Sequence, residues 1–190
     1  MLASASPRRR QLLALLGRAF EVDPADVDET PWPGEDPLEY VARVAEAKAA
    51  IGGARHPDAL VVAADTVVEL DGRILGKPTD GADAARMLRD LSGREHRVHT
   101  HVVVTAERLG RGAAATVTSL VVLDDLDAAT IEAYVATGEP LDKAGAYAVQ
   151  GRAATFVRSV HGSLTGVVGL PLVELRELLR DADAWMTPVP

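Results

Sequence analysis

Apolar residues recur at helical spacing in several parts of the chain, and a glycine often follows the last of them. This pattern predicts helices over residues 7–16, 37–51, 79–93, 127–137 and 172–180. In the second of these, Leu38, Val41 and Ala45 share one face, and Gly52 and Gly53 are predicted to end the helix. The tail, residues 185–190, is predicted to be loose.

Runs of β-branched and apolar residues predict strands. The run "LVVAADTVVEL" at residues 60–70 is followed by Asp71 and Gly72, which are typical of a type I′ hairpin turn, and by a return strand at 73–75. Further strands are predicted over residues 2–4, 97–107, 116–123 and 155–160, with loops over 23–34 and 145–151. Because strict β-α-β alternation is absent, we expect an α/β fold with a mixed β-sheet flanked by helices.

Length and composition fit one globular domain covering residues 1–190. The net charge of −8 disfavours nucleic-acid binding, which depends on clustered Lys and Arg, but it permits a small anionic ligand. The chain has no cysteine, no apolar run long enough to span a bilayer and no signal-peptide pattern at its N-terminus. We therefore expect a cytoplasmic protein that binds neither nucleic acid nor membranes.

The stretch "SPRRR" near the N-terminus is the first candidate site. Ser6 suits the N-cap and Pro7 the first helical position, which places Arg8 and Arg9 in the first turn. The helix dipole disfavours each cation there by roughly 0.3–1 kcal/mol. A bound polyphosphate would offset this, because it accepts hydrogen bonds from free backbone amides and from arginine. The alternative is a solvated basic turn.

Asp65 interrupts an otherwise apolar strand. An unpaired buried carboxylate costs several kcal/mol, so this one is expected to bind a cation, accept strong hydrogen bonds or act as an acid or base. The alternative is that Asp65 caps the turn after a shorter strand.

Two lysines and an acidic loop could complete a site. Lys48 continues the apolar stripe of its helix and could reach an anion, although a lysine that snorkels to solvent is the alternative. Lys77 lies on the loop after the hairpin and could meet phosphate. Glu29, next to Asp28, could join Asp65 as an oxygen ligand of Mg²⁺, although acidic loops are usually only solvated.

Two other patterns are predicted to carry no function. "GRGAAA" at residues 110–115 fits a dinucleotide-binding pattern, but it joins two predicted strands and is expected to be a hairpin loop. His96, His99 and His101 lack a clear third metal ligand and are expected to be exposed strand residues.

Six ordered motifs resemble the Maf family of nucleoside triphosphate pyrophosphatases. They are "LASASPRRRQLLALLG", "YVARVAEAKA", "VVAADTVVELDGRILGKP", "LSGREHRVHT", "LDKAGAYAVQG" and "VHGSLTGVVGLPL", which together span nearly the whole chain. The resemblance implies hydrolysis of a nucleoside triphosphate to monophosphate and pyrophosphate, with Mg²⁺ or Mn²⁺ as the divalent metal. It also implies an elongated fold similar to inosine triphosphatase, and a homodimer. The chain departs from the family pattern mainly by beginning at Met1-Leu2, with less first strand than usual.

The resemblance also implies roles for individual residues. Asp65 matches the family's proton acceptor and, with Glu29, the metal position. The other matching positions bind substrate, and they are Arg8, Arg9, Lys48, Thr66, Lys77 and Gln150. Ser6 is expected to join them, because its hydroxyl at the N-cap can also bind phosphate. Of these, Arg8, Thr66 and Gln150 match specificity positions.

The version with "AYAVQG" is similar to the dTTP/UTP branch of the family. The amide of Gln150 can pair with a uracil edge or, flipped, with cytosine, so the branch resemblance is what favours thymine and uracil. Two alternatives stay open: a 7-methyl-GTP pyrophosphatase of the same family, and a nucleotide-binding regulator of septum formation.

Overall fold

A computed structural model describes residues 1–186 of the chain. The helices are α1 (Pro7–Ala14), α2 (Pro37–Arg55), α3 (Gly81–Leu91), α4 (Ala128–Val135), α5 (Leu164–Val168) and α6 (Leu172–Met186). The strands are β1 (Val61–Leu70), β2 (Arg73–Leu75), β3 (Glu95–Ala106), β4 (Arg111–Leu123) and β5 (Val157–His161). The strands form a sheet in the order β2-β1-β3-β4-β5.

The predicted α/β class is confirmed. The five strands of the sheet are antiparallel, and Leu2 adds isolated parallel bridges to Val22 and Val62. The type I′ turn between β1 and β2 is also confirmed, because Asp71 and Gly72 have φ angles of 53° and 75°. The hairpin pairs Val68 with Leu75.

The prediction that Gly52 and Gly53 end the second helix is wrong. Helix α2 continues to Arg55, and Gly52 is buried where the helix packs against the sheet. A Cβ atom at Gly52 would lie 2.8 Å from Cγ1 of Val61 and 3.0 Å from Cβ of Ala3. The glycine therefore permits a close approach of helix and strand. Leu38, predicted to lie on the buried face, is exposed.

Other boundaries also differ from the prediction. Strand β4 begins at Arg111, so the "GRGAAA" segment is mostly strand and only Gly110 lies in the turn. Helix α6 reaches Met186, so Trp185 is helical, and residues 187–190 lie outside the described part of the chain. The predicted loop at 145–151 includes part of a 3-10 turn, Ala144–Ala146.

The chain divides into two compact units. The first comprises Met1–Asp65, Thr100–Val117 and the described residues from Gly169 onward. Its strands carry two cores, one on each face, because successive side chains of a strand point to opposite sides. One core is built with α2 and the other with α1 and α6.

The second unit comprises Thr66–His99 and Thr118–Val168. Its core joins strand residues such as Val68 and Val121 to Leu88 of α3 and Ile131 of α4. The edge-on contact of Tyr134 and Phe156, with ring centroids 5.1 Å apart, belongs to this core. Along residues 1–186, no helix combines the length and apolar character needed to cross a membrane.

The two neighbouring glycines of α2 provide a test of the close approach. Alanine is favoured over glycine in a helix by about 1 kcal/mol, but overpacking a core costs about 1–3 kcal/mol. We expect Gly52→Ala to lower the free energy of unfolding, measured in urea, because buried Val61 cannot move away. Gly53→Ala is the matched control, since its nearest neighbour is the flexible side chain of Glu107 at 3.2 Å. A Gly52→Ala variant as stable as Gly53→Ala would contradict this explanation.

Candidate active site

Strand alternation places Asp65 on the face of β1 that α2 covers. In the first unit, Val61 and Ala63 pack in one core with Ala45 and Ala49 of α2. Asp65 is two residues beyond Ala63, so its side chain points to the same side of the strand. The carboxylate is thereby directed at the helix rather than at solvent, and it is buried.

Lys48 supplies the cation that this buried carboxylate requires. It follows Ala45 by three residues and so lies on the same face of α2. Its Nζ donates a hydrogen bond of 2.7 Å to Oδ1 of Asp65 and lies 2.5 Å from Oε1 of Glu29. The side chains of Lys48 and Asp65 are only 7% and 9% exposed, whereas that of Glu29 is 39% exposed. One buried ammonium thus joins two carboxylates from distant parts of the sequence.

These contacts decide three alternatives that the sequence left open. Asp65 lies within β1, so it is not a cap after a shorter strand. Lys48 is buried in ion pairs and does not snorkel to solvent. Glu29 makes one of these pairs, so the acidic loop is not merely solvated. Removing one partner of a buried pair typically costs about 3–5 kcal/mol, so the buried side chains of Lys48 and Asp65 depend on each other.

The two carboxylates suit a magnesium-type ion. Their oxygens contact a single nitrogen, so Glu29 and Asp65 are directed at one point. Carboxylate oxygens are the ligands that Mg²⁺ prefers, and it commonly uses one or two of them together with water and substrate phosphates. Across residues 1–186, no group of three or more His, Asp or Glu side chains is arranged to hold a metal.

Arg9 brings a guanidinium to the same charged group. Its Nε donates to the carbonyl of Gly169 at 2.8 Å, and its Nη1 donates to Oγ of Ser4 at 3.3 Å. Burial lowers the pKa of Arg9, and the negative charges of Asp65 and Glu29 oppose that shift. Two hydrogen bonds therefore fix the Arg9 guanidinium, and the charges of Asp65 and Glu29 attract it.

The start of α1 is built as the sequence predicts. Ser6 is the N-cap, and its Oγ accepts a hydrogen bond of 3.3 Å from the amide of Arg9, with Pro7 at the first helical position. Arg8 is half-buried in the same turn, and its charge also lowers the pKa of Arg9. The first unit thus gathers Ser6, Arg9, Glu29, Lys48 and Asp65, a set with both phosphate-binding cations and carboxylates.

Three predicted site residues belong to the second unit. Thr66 directly follows Asp65 on β1 and is half-buried, while Lys77 is exposed on the loop after β2. Gln150 is exposed beyond the 3-10 turn Ala144–Ala146. Their participation in one site with the first-unit residues stays a prediction.

The expectation that the three histidines of β3 are exposed is wrong. His96, His99 and His101 are at most 7% exposed, because β3 is the central strand of the sheet and both of its faces are covered. Nε2 of His99 lies 3.0 Å from Oε2 of Glu69, and Nε2 of His96 lies 2.7 Å from the hydroxyl of Tyr147. Burial lowers the pKa of His96 to about 4. His96 and His99 are thus buried side chains with buried partners, and Nδ1 of His101 lies 2.7 Å from the hydroxyl of Thr116.

Sequence reasoning missed the side chains that hold the acidic loop. Tyr40 and Arg43, three residues apart on α2, both bond to backbone carbonyls of that loop. Gly169, whose carbonyl accepts from Arg9, was also missed. The spacing of Tyr40 and Arg43 within "YVARVAEAKA" places them on one helix face and was the available signal.

Comparisons with known proteins identify the family of this chain. The family model described as Maf-like protein matches residues 1–182. The chain is 55% identical over 184 residues to a protein of Anaeromyxobacter dehalogenans strain 2CP-1, with 96% of this chain and 93% of that protein covered. It is 51% identical to a protein of Pelotomaculum thermopropionicum and 52% identical to one of Geobacter sulfurreducens, each time with 95% of this chain and 94% of the relative covered.

All three relatives are named dTTP/UTP pyrophosphatase. The family match covers nearly every described residue, including the α1 turn, the acidic loop, Lys48 and Asp65. With this match and with relatives of 51–55% identity over nearly its whole length, the chain belongs to the Maf-like protein family.

Proposed function

We propose that this chain is a nucleoside triphosphate pyrophosphatase that hydrolyses dTTP and UTP to the monophosphate and pyrophosphate. The observation that carries the proposal is the buried Lys48 ammonium between Glu29 and Asp65, with both carboxylates also attracting the charge of Arg9. Relatives of about 50% identity over nearly the whole chain, named dTTP/UTP pyrophosphatase, support the choice of substrates.

The reaction requires water to attack the α-phosphorus. A bond forms between the water oxygen and that phosphorus, the bond from the phosphorus to the α,β-bridging oxygen breaks, and pyrophosphate leaves with the bonding electron pair. Asp65 is proposed to take the proton of the attacking water, since a positioned carboxylate can act as a general base. Lys48 holds that carboxylate in place through the hydrogen bond to Oδ1.

The cations have a separate task, which is to bind the triphosphate. Arg9, with Arg8 in the same turn, offers guanidinium donors next to the N-terminus of α1, where backbone amides also suit phosphate. Lys77 is proposed to join them at the phosphates. Phosphoryl transfer gains most from such positioning and charge neutralisation, because the developing charge lies on phosphate oxygens.

A divalent ion, Mg²⁺ or Mn²⁺, is proposed as the cofactor. Glu29 and Asp65 would hold it, because both carboxylates contact the same ammonium and therefore lie close to each other. When bound, such an ion neutralises phosphate charge and polarises the phosphorus centre. Base selection is assigned to Gln150, Thr66 and Arg8, in line with the dTTP/UTP branch of the family.

The location and assembly of the protein are further proposals. We expect a cytoplasmic homodimer, as the family resemblance implies. Sedimentation velocity tests the assembly: a chain of 20.0 kDa should sediment as a species of twice that mass, and a monomer at micromolar concentration would contradict the dimer.

A nucleotide panel tests the activity. The purified chain with Mg²⁺ is expected to release pyrophosphate and monophosphate from dTTP and UTP, and more slowly from CTP, ATP, GTP and 7-methyl-GTP. Excess chelator should abolish release, and added Mg²⁺ or Mn²⁺ should restore it. Pyrophosphate and monophosphate are quantified by ion-exchange chromatography.

Two outcomes of this panel would overturn parts of the proposal. Failure to release pyrophosphate from any triphosphate would contradict the enzymatic function. Faster turnover of 7-methyl-GTP than of UTP would keep the reaction but replace the substrate class.

Asp65 has a matched control on the same strand. Asp65→Asn keeps the shape of the side chain but removes the base, so kcat for dTTP is expected to fall about 10²–10⁴-fold. Glu69→Gln alters another buried carboxylate of β1, one that pairs with His99 instead, and is expected to keep kcat within a few fold. Circular dichroism establishes that both variants are folded. Equal losses of kcat in the two variants would contradict the role of Asp65.

A further inference from the structure

The loop that carries Glu29 has no regular secondary structure. Residues 28–35 form neither helix nor strand, so no backbone ladder fixes their position. Loops of this kind are placed by side chains and by bonds to rigid elements. Glu29 is 39% exposed, yet its carboxylate lies 2.5 Å from the ammonium of Lys48. Something other than burial must hold it there.

The peptide bond between Glu29 and Thr30 is hydrogen-bonded at both its carbonyl and its amide. The hydroxyl of Tyr40 donates to the carbonyl of Glu29 at 2.9 Å. Burial raises the pKa of Tyr40, and the charges of Asp65 and Glu29 raise it further, so the phenol stays a hydrogen-bond donor. The next amide, that of Thr30, donates to Oδ1 of Asp28 at 2.9 Å.

Arg43 makes the largest set of contacts to this loop. Its Nε and Nη2 donate to the two carboxylate oxygens of Glu35 at 2.6 and 2.8 Å, and Nη2 also donates to the carbonyl of Thr30 at 3.2 Å. The guanidinium carbon lies 4.2 Å from the ring centroid of Trp32. Such a two-pronged pair is a rigid, charge-assisted contact.

Glu35 also makes a hydrogen bond within the loop. The amide of Trp32 donates to Oε2 of Glu35 at 2.8 Å, so the same carboxylate binds the helix and the loop backbone. Its side chain is 4% exposed, and the hydrogen bond from Arg43 holds the pKa of Glu35 below its usual range. One arginine thus ties both the Thr30 and the Trp32–Glu35 parts of the loop to α2.

We propose that Arg43 is a positioning residue, which holds the loop of residues 28–35 so that the carboxylate of Glu29 meets Lys48 beside Asp65. It acts through Glu29 and touches neither substrate nor metal. The inference rests on the proposed function for its catalytic consequence, because Glu29 is there a metal ligand. Partners that orient a metal-binding carboxylate typically change metal affinity or activity 10–100-fold when removed.

A double-mutant cycle tests whether Arg43 acts through Glu29. We expect Arg43→Gln to raise the Mg²⁺ concentration for half-maximal dTTP hydrolysis by about 10-fold. Arg43→Lys should recover only part of the loss, since an ammonium cannot make the two-pronged contact. In a Glu29→Gln background, Arg43→Gln should add nothing, because the residue it positions is already altered.

Arg55 provides the matched control. It lies at the other end of α2 and also tethers an upstream loop, through Asp23 and the carbonyl of Pro24. Arg55→Gln is expected to leave the Mg²⁺ requirement unchanged. Independent, multiplying effects of Arg43→Gln and Glu29→Gln would overturn the proposal, as would an equal shift in Arg55→Gln.

Hydrogen exchange gives a readout that needs no turnover. In Arg43→Gln, the peptide spanning residues 28–35 should exchange about 10-fold faster by mass spectrometry, because the Trp32 amide loses the fixed position of its acceptor Glu35 and the Thr30 carbonyl loses its tether to α2. Peptides from α3 should exchange as in the unaltered chain. Unchanged exchange in residues 28–35 would overturn the positioning role even if the chain hydrolyses dTTP. Conversely, accelerated exchange in a chain without any pyrophosphatase activity would contradict the proposed function but support the positioning of the loop by Arg43.

Discussion

A buried positive charge with two negative partners organises the candidate site. The Lys48 ammonium contacts the carboxylates of Glu29 and Asp65, and the ammonium and the Asp65 carboxylate would each be costly to bury alone. The three groups carry a net negative charge, which the nearby guanidinium of Arg9 balances. Replacing any one of these charged side chains by a neutral one would leave the remaining charges uncompensated. It gives a polar centre to a unit whose other buried side chains are mostly aliphatic.

The packing of α2 on β1 makes that contact possible. Small residues of the helix, Ala45, Ala49 and Gly52, let it lie close to the strand, so the lysine side chain spans the short distance to Asp65. The period of two along β1 then directs the carboxylate to the helix side. Glu29 comes from an irregular loop, and its position depends on side-chain tethers from the same helix. One helix therefore supplies the cation, the close approach and the fixing of the loop.

The sequence alone predicted those features that depend on local pattern. The run through Asp65, the Asp71-Gly72 turn and the capped start of α1 follow from strand period, turn chemistry and N-cap preference, and each is confirmed. The end of α2 was missed because Gly52 serves tertiary packing, which overrides its usual meaning at a helix terminus. The burial of the β3 histidines depends on the strand's central place in the sheet, which residue spacing does not encode. Lys48 was ambiguous for the same reason, since its ion pairs join segments 17 residues or more apart in the chain.

One experiment can show the two carboxylates, the first turn of α1 and the triphosphate together. A crystal structure with Mn²⁺ and an α,β-imido analogue of dUTP that resists hydrolysis would locate the metal by its anomalous signal. The account predicts Mn²⁺ coordinated by Glu29 and Asp65, with the phosphates against Arg9. A metal or a triphosphate bound away from Glu29, Lys48 and Asp65 would contradict it.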